Sequence, residues 1–244
     1  QDSLFWRRWW KRLKKPWQTL YQAGIILASY NNNKQLGVIM KQLLIVLLLL
    51  GSYPKVHAED TITYNVGVMS DYWYRGVFQS ESAVMFGADY EKNGIYIGTW
   101  MADVDKGLEM DVYGGYGFTV LGMDYYVGAT GYYYTDDFDS DYEELNTGVS
   151  YGGVSFDYAV GKYKTAIEQD YTFSEVTYNL MDNLSVSYGE WGKDLKGSVT
   201  RVNFNKEVKG LDLGVEIGKN DSDTTGAEKY VDTTYATFSL GLSF

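Results

Sequence analysis

The chain has 244 residues, with 21 Lys+Arg against 32 Asp+Glu, a single His, two Pro and no Cys. The absence of cysteine excludes a disulfide framework, thiolate metal sites and thiol catalysis. The formal charge of −11 is unevenly spread: residues 1–58 hold nine bases and one acid, so the other 186 hold 12 bases and 31 acids. A strongly acidic, His-free body speaks against nucleic-acid binding, most acid/base chemistry and most metal chemistry, and no cofactor motif is present.

In chain order, residues 1–39 come first, with a basic and aromatic stretch at Trp6, Arg7, Arg8, Trp9, Trp10, Lys11 and Arg12. Such a stretch suits an anionic membrane surface. We expect it instead to be an upstream extension outside the mature protein, because Met40 opens a secretory signal. Met40-Lys41 leads into the apolar run Leu43–Leu50, then Gly51-Ser52, then Val56-His57-Ala58. The run is about half the ~20 residues of a membrane-spanning helix. A positive start, apolar core and small-residue exit read as a signal peptide over 40–58, cleaved after Ala58. His57 leaves with it, and the mature chain is expected to be 59–244.

From Thr61 onward, apolar residues recur at every second position, the period of a strand with two unlike faces. Leu108, Met110, Val112, Gly114, Tyr116 and Phe118 alternate with Glu109, Asp111, Tyr113, Gly115 and Gly117. Leu211, Leu213, Val215 and Ile217 alternate with Asp212, Gly214 and Glu216. The pattern predicts an all-β chain of about twelve strands: 61–72, 82–91, 94–104, 108–118, 122–134, 143–151, 153–163, 170–180, 183–192, 197–207, 210–218 and 233–244. Short turns are expected at Lys92-Asn93, Thr119-Val120-Leu121, Gly152, Met181-Asp182 and Val208-Lys209. Longer polar links fall at 135–142, 164–169 and 219–232.

Long and short connections sorted to opposite ends, with an even strand count, indicate a transmembrane antiparallel up-and-down β-barrel. Twelve strands at ~4.8 Å spacing and ~40° tilt enclose a backbone diameter of roughly 24 Å, too wide for a dry core of Leu and Val. The apolar face therefore meets membrane lipid and the polar face meets water. Tyr64, Tyr72, Tyr90, Tyr133 and Tyr151 near strand ends are expected to form aromatic girdles. The ending Thr237–Phe244 alternates and finishes on an aromatic, which resembles the signal that outer-membrane barrels present to their assembly machinery; Phe244 is its terminal residue.

The segment Ser70-Asp71-Tyr72-Trp73-Tyr74-Arg75-Gly76-Val77-Phe78-Gln79-Ser80 resembles the signature S-D-Y-x-x-R-G-x-x-Q-S of a bacterial porin family labelled TorF-type. Asp89-Tyr90-Glu91, Gly94-Ile95-Tyr96-Ile97-Gly98-Thr99-Trp100 and Leu108–Tyr116 are similar to its following strands. Where that family often has Ser-Asn-Val, this chain carries Ala102-Asp103-Val104. The resemblance spans about 60–244 and implies a Gram-negative outer-membrane barrel with a porin role.

By parity the inward face collects Asp89, Glu109, Asp111, Asp124, Glu144, Asp157, Glu175, Asp212 and Glu216, against Arg201 and, near the mouth, Arg75. This set predicts an acidic lumen that passes small polar solutes or cations. Arg75 is read either as a constriction cation opposite Asp71 or Asp111, or as a structural ion pair holding the first long loop. Inward Tyr113, Tyr126, Tyr132, Tyr171, Phe173 and Tyr235 narrow the lumen to about 10 Å, which leaves a plugged, surface-interacting barrel as the alternative. The acidic stretches 136–141 and 221–223 lack the ligand spacing of a compact calcium loop. With no His after cleavage, a lipolytic Ser–His pair cannot form.

Overall fold

The computed structural model describes residues 61–222 and 232–244. The expected extension (1–39), signal peptide (40–58) and Asp223 lie outside the described residues. Among these residues fourteen strands follow in chain order: β1 (Thr61–Met69), β2 (Tyr72–Tyr74), β3 (Val77–Ser80), β4 (Ala83–Lys92), β5 (Ile95–Asp103), β6 (Leu108–Val120) and β7 (Met123–Tyr134). They continue as β8 (Tyr142–Tyr151), β9 (Val154–Tyr163), β10 (Gln169–Met181), β11 (Leu184–Lys193), β12 (Gly197–Val208), β13 (Leu211–Ser222) and β14 (Thr234–Ser243).

Twelve of them, β1 and β4–β14, pair antiparallel with their sequence neighbours, and β14 returns to β1 to close a barrel. Closure leaves no unpaired sheet edge, which a bilayer requires. The other two, β2 and β3, form a separate hairpin. The first predicted strand, 61–72, is therefore shorter than expected. It ends at Met69, and Tyr72 belongs to the hairpin.

The tight turns explain themselves chemically. Asn93-Gly94, Leu121-Gly122, Gly152-Gly153 and Lys209-Gly210 all place two consecutive residues at positive φ. That is the demand of the two-residue type I′ hairpin, whose twist matches the strands it joins. Each turn sits up to a residue or two later than its sequence assignment, because glycine takes the second left-handed position. The hairpin tip Arg75-Gly76 is built the same way, with φ of 49° and 82°.

The two faces separate as alternation demands. Val112 (54% exposed), Leu145 (62%) and Phe238 (60%) lie on the outer face, whereas Glu109 and Asp111 beside Val112 are buried within. Outward aromatics gather at the short-turn end, where Phe118 stacks on Tyr116 at 5.9 Å and on Tyr125 at 5.5 Å. Tyr133 and Tyr151 are also exposed outward. Tyr72 is a correction to the expected girdle: it is buried, because the hairpin that carries it folds inward. Two apolar clusters sit inside the barrel. One joins Ala159, Tyr171, Phe173, Trp191 and Val199 with Val77 of the hairpin; the other joins Tyr72, Ala83, Ala102 and Val104 with Trp100.

Candidate functional site

The lumen is built from a recurring cross-strand unit of glycine, aromatic ring and carboxylate. Directly paired residues on neighbouring strands share a face, and Gly98↔Tyr113, Gly148↔Tyr126, Gly161↔Tyr171, Gly189↔Phe173 and Gly218↔Tyr235 pair in this way on the inner face, except that Phe173 reaches Gly189 diagonally. A methyl group added at any of these glycines would occupy the volume of the ring. The rings thus lie against the wall over glycine, and each tyrosine among them turns its phenol toward a carboxylate. Tyr113 donates to Asp89, Tyr126 to Asp157 (2.8 Å), Tyr171 to Glu144 (2.9 Å) and Tyr235 to Glu216 (2.9 Å).

Such a phenol bond satisfies a carboxylate without removing its charge. Among the described residues Arg75 and Arg201 do that. Arg201 pairs with Glu175 and lies 4.0 Å from Glu216. Arg75 makes two parallel bonds to Glu144, Nη1 to Oε2 at 2.8 Å and Nη2 to Oε1 at 2.9 Å. Asp89, Glu109, Asp111, Asp124, Asp157 and Asp212 have no basic partner among the described residues. Asp124 accepts from Thr119 Oγ1 at 2.6 Å. Asp212 faces inward opposite Glu207. By the same register Glu91, opposite Tyr96, shares the inner face. Glu91 and Glu207 thus extend the inward set expected from sequence, and strand parity alone suffices to find them.

The hairpin crosses this lumen. Arg75 reaches neither Asp71 nor Asp111, the acids considered for a constriction cation; it makes its ion pair with Glu144 on the far wall. Its guanidinium lies 5.0 Å from the Tyr74 ring, 4.6 Å from Phe173 and 5.7 Å from Trp191. The tip backbone is also held: Trp191 Nε1 donates to Arg75 O at 3.1 Å, and Asn220 Nδ2 to Gly76 O at 2.7 Å. Trp73 stacks on Tyr235 with centroids 4.0 Å apart and planes 2° from parallel. The Tyr74 and Tyr132 hydroxyls meet at 2.6 Å, and burial holds the Tyr74 phenol well above its ordinary pKa, so it stays protonated. Beside the hairpin an open cleft of about 480 Å³ runs between Trp73, Glu81 and Tyr235.

The hairpin touches or bonds to β5, β7, β8, β10, β11, β13 and β14. The sequence contains the hairpin's type I′ signal, Arg75-Gly76 between aromatic and β-branched residues, but long-range contacts alone place it inside. The acids of 136–141 form no metal cluster; Asp139 instead accepts from Tyr142 (3.0 Å) and from Tyr163. Among the described residues no group of three or more His, Cys, Asp or Glu is arranged to hold a metal ion.

The fold has solved counterparts. A structure from the work "Unveiling the Mechanism Behind the in-meso Crystallization of Membrane Proteins" matches with a TM-score of 0.50 and 8% identity, covering 75% of this chain and 83% of that one. A KdgM porin matches with a TM-score of 0.49 and 10% identity over 75% of this chain and 97% of that one. OccAB2 from Acinetobacter baumannii gives 0.42 and 10% over 78% and 66%. At such identity the first likeness is one of fold. None of the curated proteins matches the chain. Residues 55–240 match the family described as "Bacterial protein of unknown function (Gcw_chp)", and the chain belongs to that family.

Proposed function

We propose that this chain is an outer-membrane channel through which small polar solutes and cations diffuse passively, along an acidic lumen narrowed by the β2–β3 hairpin. The observation that carries this reading is the state of the lumenal charge. Among the described residues six inward carboxylates are satisfied by phenols, amides or hydroxyls, or left without a basic partner, while Arg75 and Arg201 pair with Glu144 and Glu175. Fixed charges in a narrow, low-dielectric wall act within the ~8 Å Debye length of physiological salt, so a permeating ion feels them. The closed twelve-strand barrel, and the resemblance of Ser70–Ser80, which contains the hairpin, to the TorF-type porin signature, support a channel. Export through a signal peptide at 40–58, assembly through the Phe244 ending and contact with membrane lipid belong to the same reading. The role is non-enzymatic.

A second reading has its own support. The hairpin is bonded to the opposite wall at its tip, as a plug would be. Planar-bilayer measurements on the refolded barrel decide between them. A channel gives discrete steps and cation-selective reversal potentials. Neutralising Asp111, Asp124, Asp157 and Asp212 together should lower the cation/anion permeability ratio. Removing the acids of 136–141 should change it less, with an effect that vanishes at high salt. Anion preference would overturn the acidic-lumen reading, and absence of conductance would establish the plug.

A further inference from the structure

Arg75 displays how this lumen holds an organic cation: one carboxylate in two-point contact with a guanidinium, and aromatic rings around it. A second assembly of the same parts stands in the lumen with no basic side chain paired to it among the described residues. Glu109 and Asp111 lie two positions apart on the inner face of β6, about 6–7 Å along the strand. Glu109 is 0% exposed and Asp111 8%. Among the described residues neither Glu109 oxygen, nor Asp111 Oδ1, takes part in a hydrogen bond. The phenols of Tyr72 and Tyr134 approach Glu109 without completing one. Tyr72 meets Trp100 edge to face at 5.4 Å, and Trp100 pairs across the sheet with Asp111.

Two adjacent buried carboxylates repel each other and are costly as anions, a cost that either a proton or a positive charge beside them relieves. Arg75, the base carried by the hairpin, is committed to Glu144. We propose that Glu109 and Asp111, walled by Tyr72, Trp100 and Tyr134, form a binding box for the ammonium or guanidinium group of an organic cation. The walls argue for this class over a metal ion. A hard metal needs six or more oxygens around it, whereas this box offers two carboxylates beside two phenols and an indole. Ring faces and carboxylates together are the partners of N–H-bearing cations. A primary ammonium is about the size of a water molecule, and Tyr72, on the inserted hairpin, is the one wall residue of the box not carried by a barrel strand.

As a transport device the box rests on the channel reading above, but its occupancy is measured without current. The probe is methylammonium chloride, titrated calorimetrically into the refolded barrel in detergent. Sodium chloride and tetramethylammonium chloride, which carry no N–H donors, are titrated at equal ionic strength. The expected result is saturable one-to-one uptake of methylammonium, at least tenfold weaker for either control ion. Glu109→Gln and Asp111→Asn should each weaken it at least tenfold, and Asp136→Asn, in an extracellular-type loop, should not. Uptake that fails to distinguish methylammonium from sodium, or that survives Glu109→Gln, overturns the proposal. Should both variants fail to fold, the parent protein still decides: no saturable methylammonium binding means the pair is kept by protonation alone. Binding without conductance would sink the channel reading and leave the box standing.

Discussion

Replacing Arg75 by alanine removes the two charge-assisted bonds to Glu144, at 2.8 and 2.9 Å, and the guanidinium that the Tyr74, Phe173 and Trp191 rings surround. Breaking a buried ion pair from one side costs about 3–5 kcal/mol, because the remaining charge stays buried. Glu144 keeps the Tyr132 and Tyr171 phenols, both at 2.9 Å, which places the cost near the lower end. What still ties the tip to the far wall is the Trp191 and Asn220 bonds to backbone carbonyls, the Tyr74–Tyr132 contact and the Trp73–Tyr235 stack. At about 1 kcal/mol each, these sum to about 4 kcal/mol. The clamp is thus close to half of the attachment. Its loss should shift the seated-to-released equilibrium of the hairpin by about two powers of ten or more. The barrel wall, paired strand by strand without the hairpin, should still form. Single-channel recording should find Arg75→Ala with at least doubled conductance and added flicker, and Glu144→Gln with a similar gain. Arg75→Met combined with Glu144→Gln should recover part of the parent behaviour, since no buried charge is then left alone. Conductance and noise identical to the parent in Arg75→Ala would refute the clamp.

Val112→Arg, on the outer face, should destabilise the barrel by about 2–4 kcal/mol in lipid if Val112 lies near the midplane, while Asp111→Asn one residue away should leave unfolding nearly unchanged; equal tolerance in urea titrations would mean the faces are reversed. Gly218→Val should evict the Tyr235 ring, break its stack on Trp73 and its bond to Glu216, and loosen the hairpin in the same electrical assay. An unaltered Gly218→Val channel would show that the ring-on-glycine unit does not support the hairpin. Mass spectrometry of the exported protein should find Glu59 at its N-terminus, and recovery of a peptide containing Trp9 from the outer membrane would contradict cleavage after Ala58.

Much of the barrel is legible in the chain because a strand's two faces have a fixed period of two. Val112 and Asp111 differ in face for that reason alone, and the parity that puts Asp89, Glu144 and Glu216 on one side needs no tertiary information. Sorted connection lengths and glycine-bearing turns determine the up-and-down order, since type I′ geometry is a local demand of Asn93-Gly94 and its counterparts. Apolar alternation does not reveal which of two residues must be left-handed, so the turns expected from it fall slightly early.

Tertiary structure alone decided what the lumenal residues do to one another. Parity assigns Tyr235 and Glu216 to the inner face, but their bond depends on strand register and on the space that Gly218 leaves. The segment 70–82 carries a hairpin signal, yet whether it stands outside the barrel or folds in depends on Glu144, Trp191 and Asn220, which lie 69 to 144 residues along the chain. Sequence alone leaves the acid that pairs with Arg75 open, and that partner, Glu144, lies across the closed barrel. Local periodicity is set by the backbone of each strand, while charge pairing across a lumen is set by barrel closure, which brings residues together irrespective of their separation in sequence.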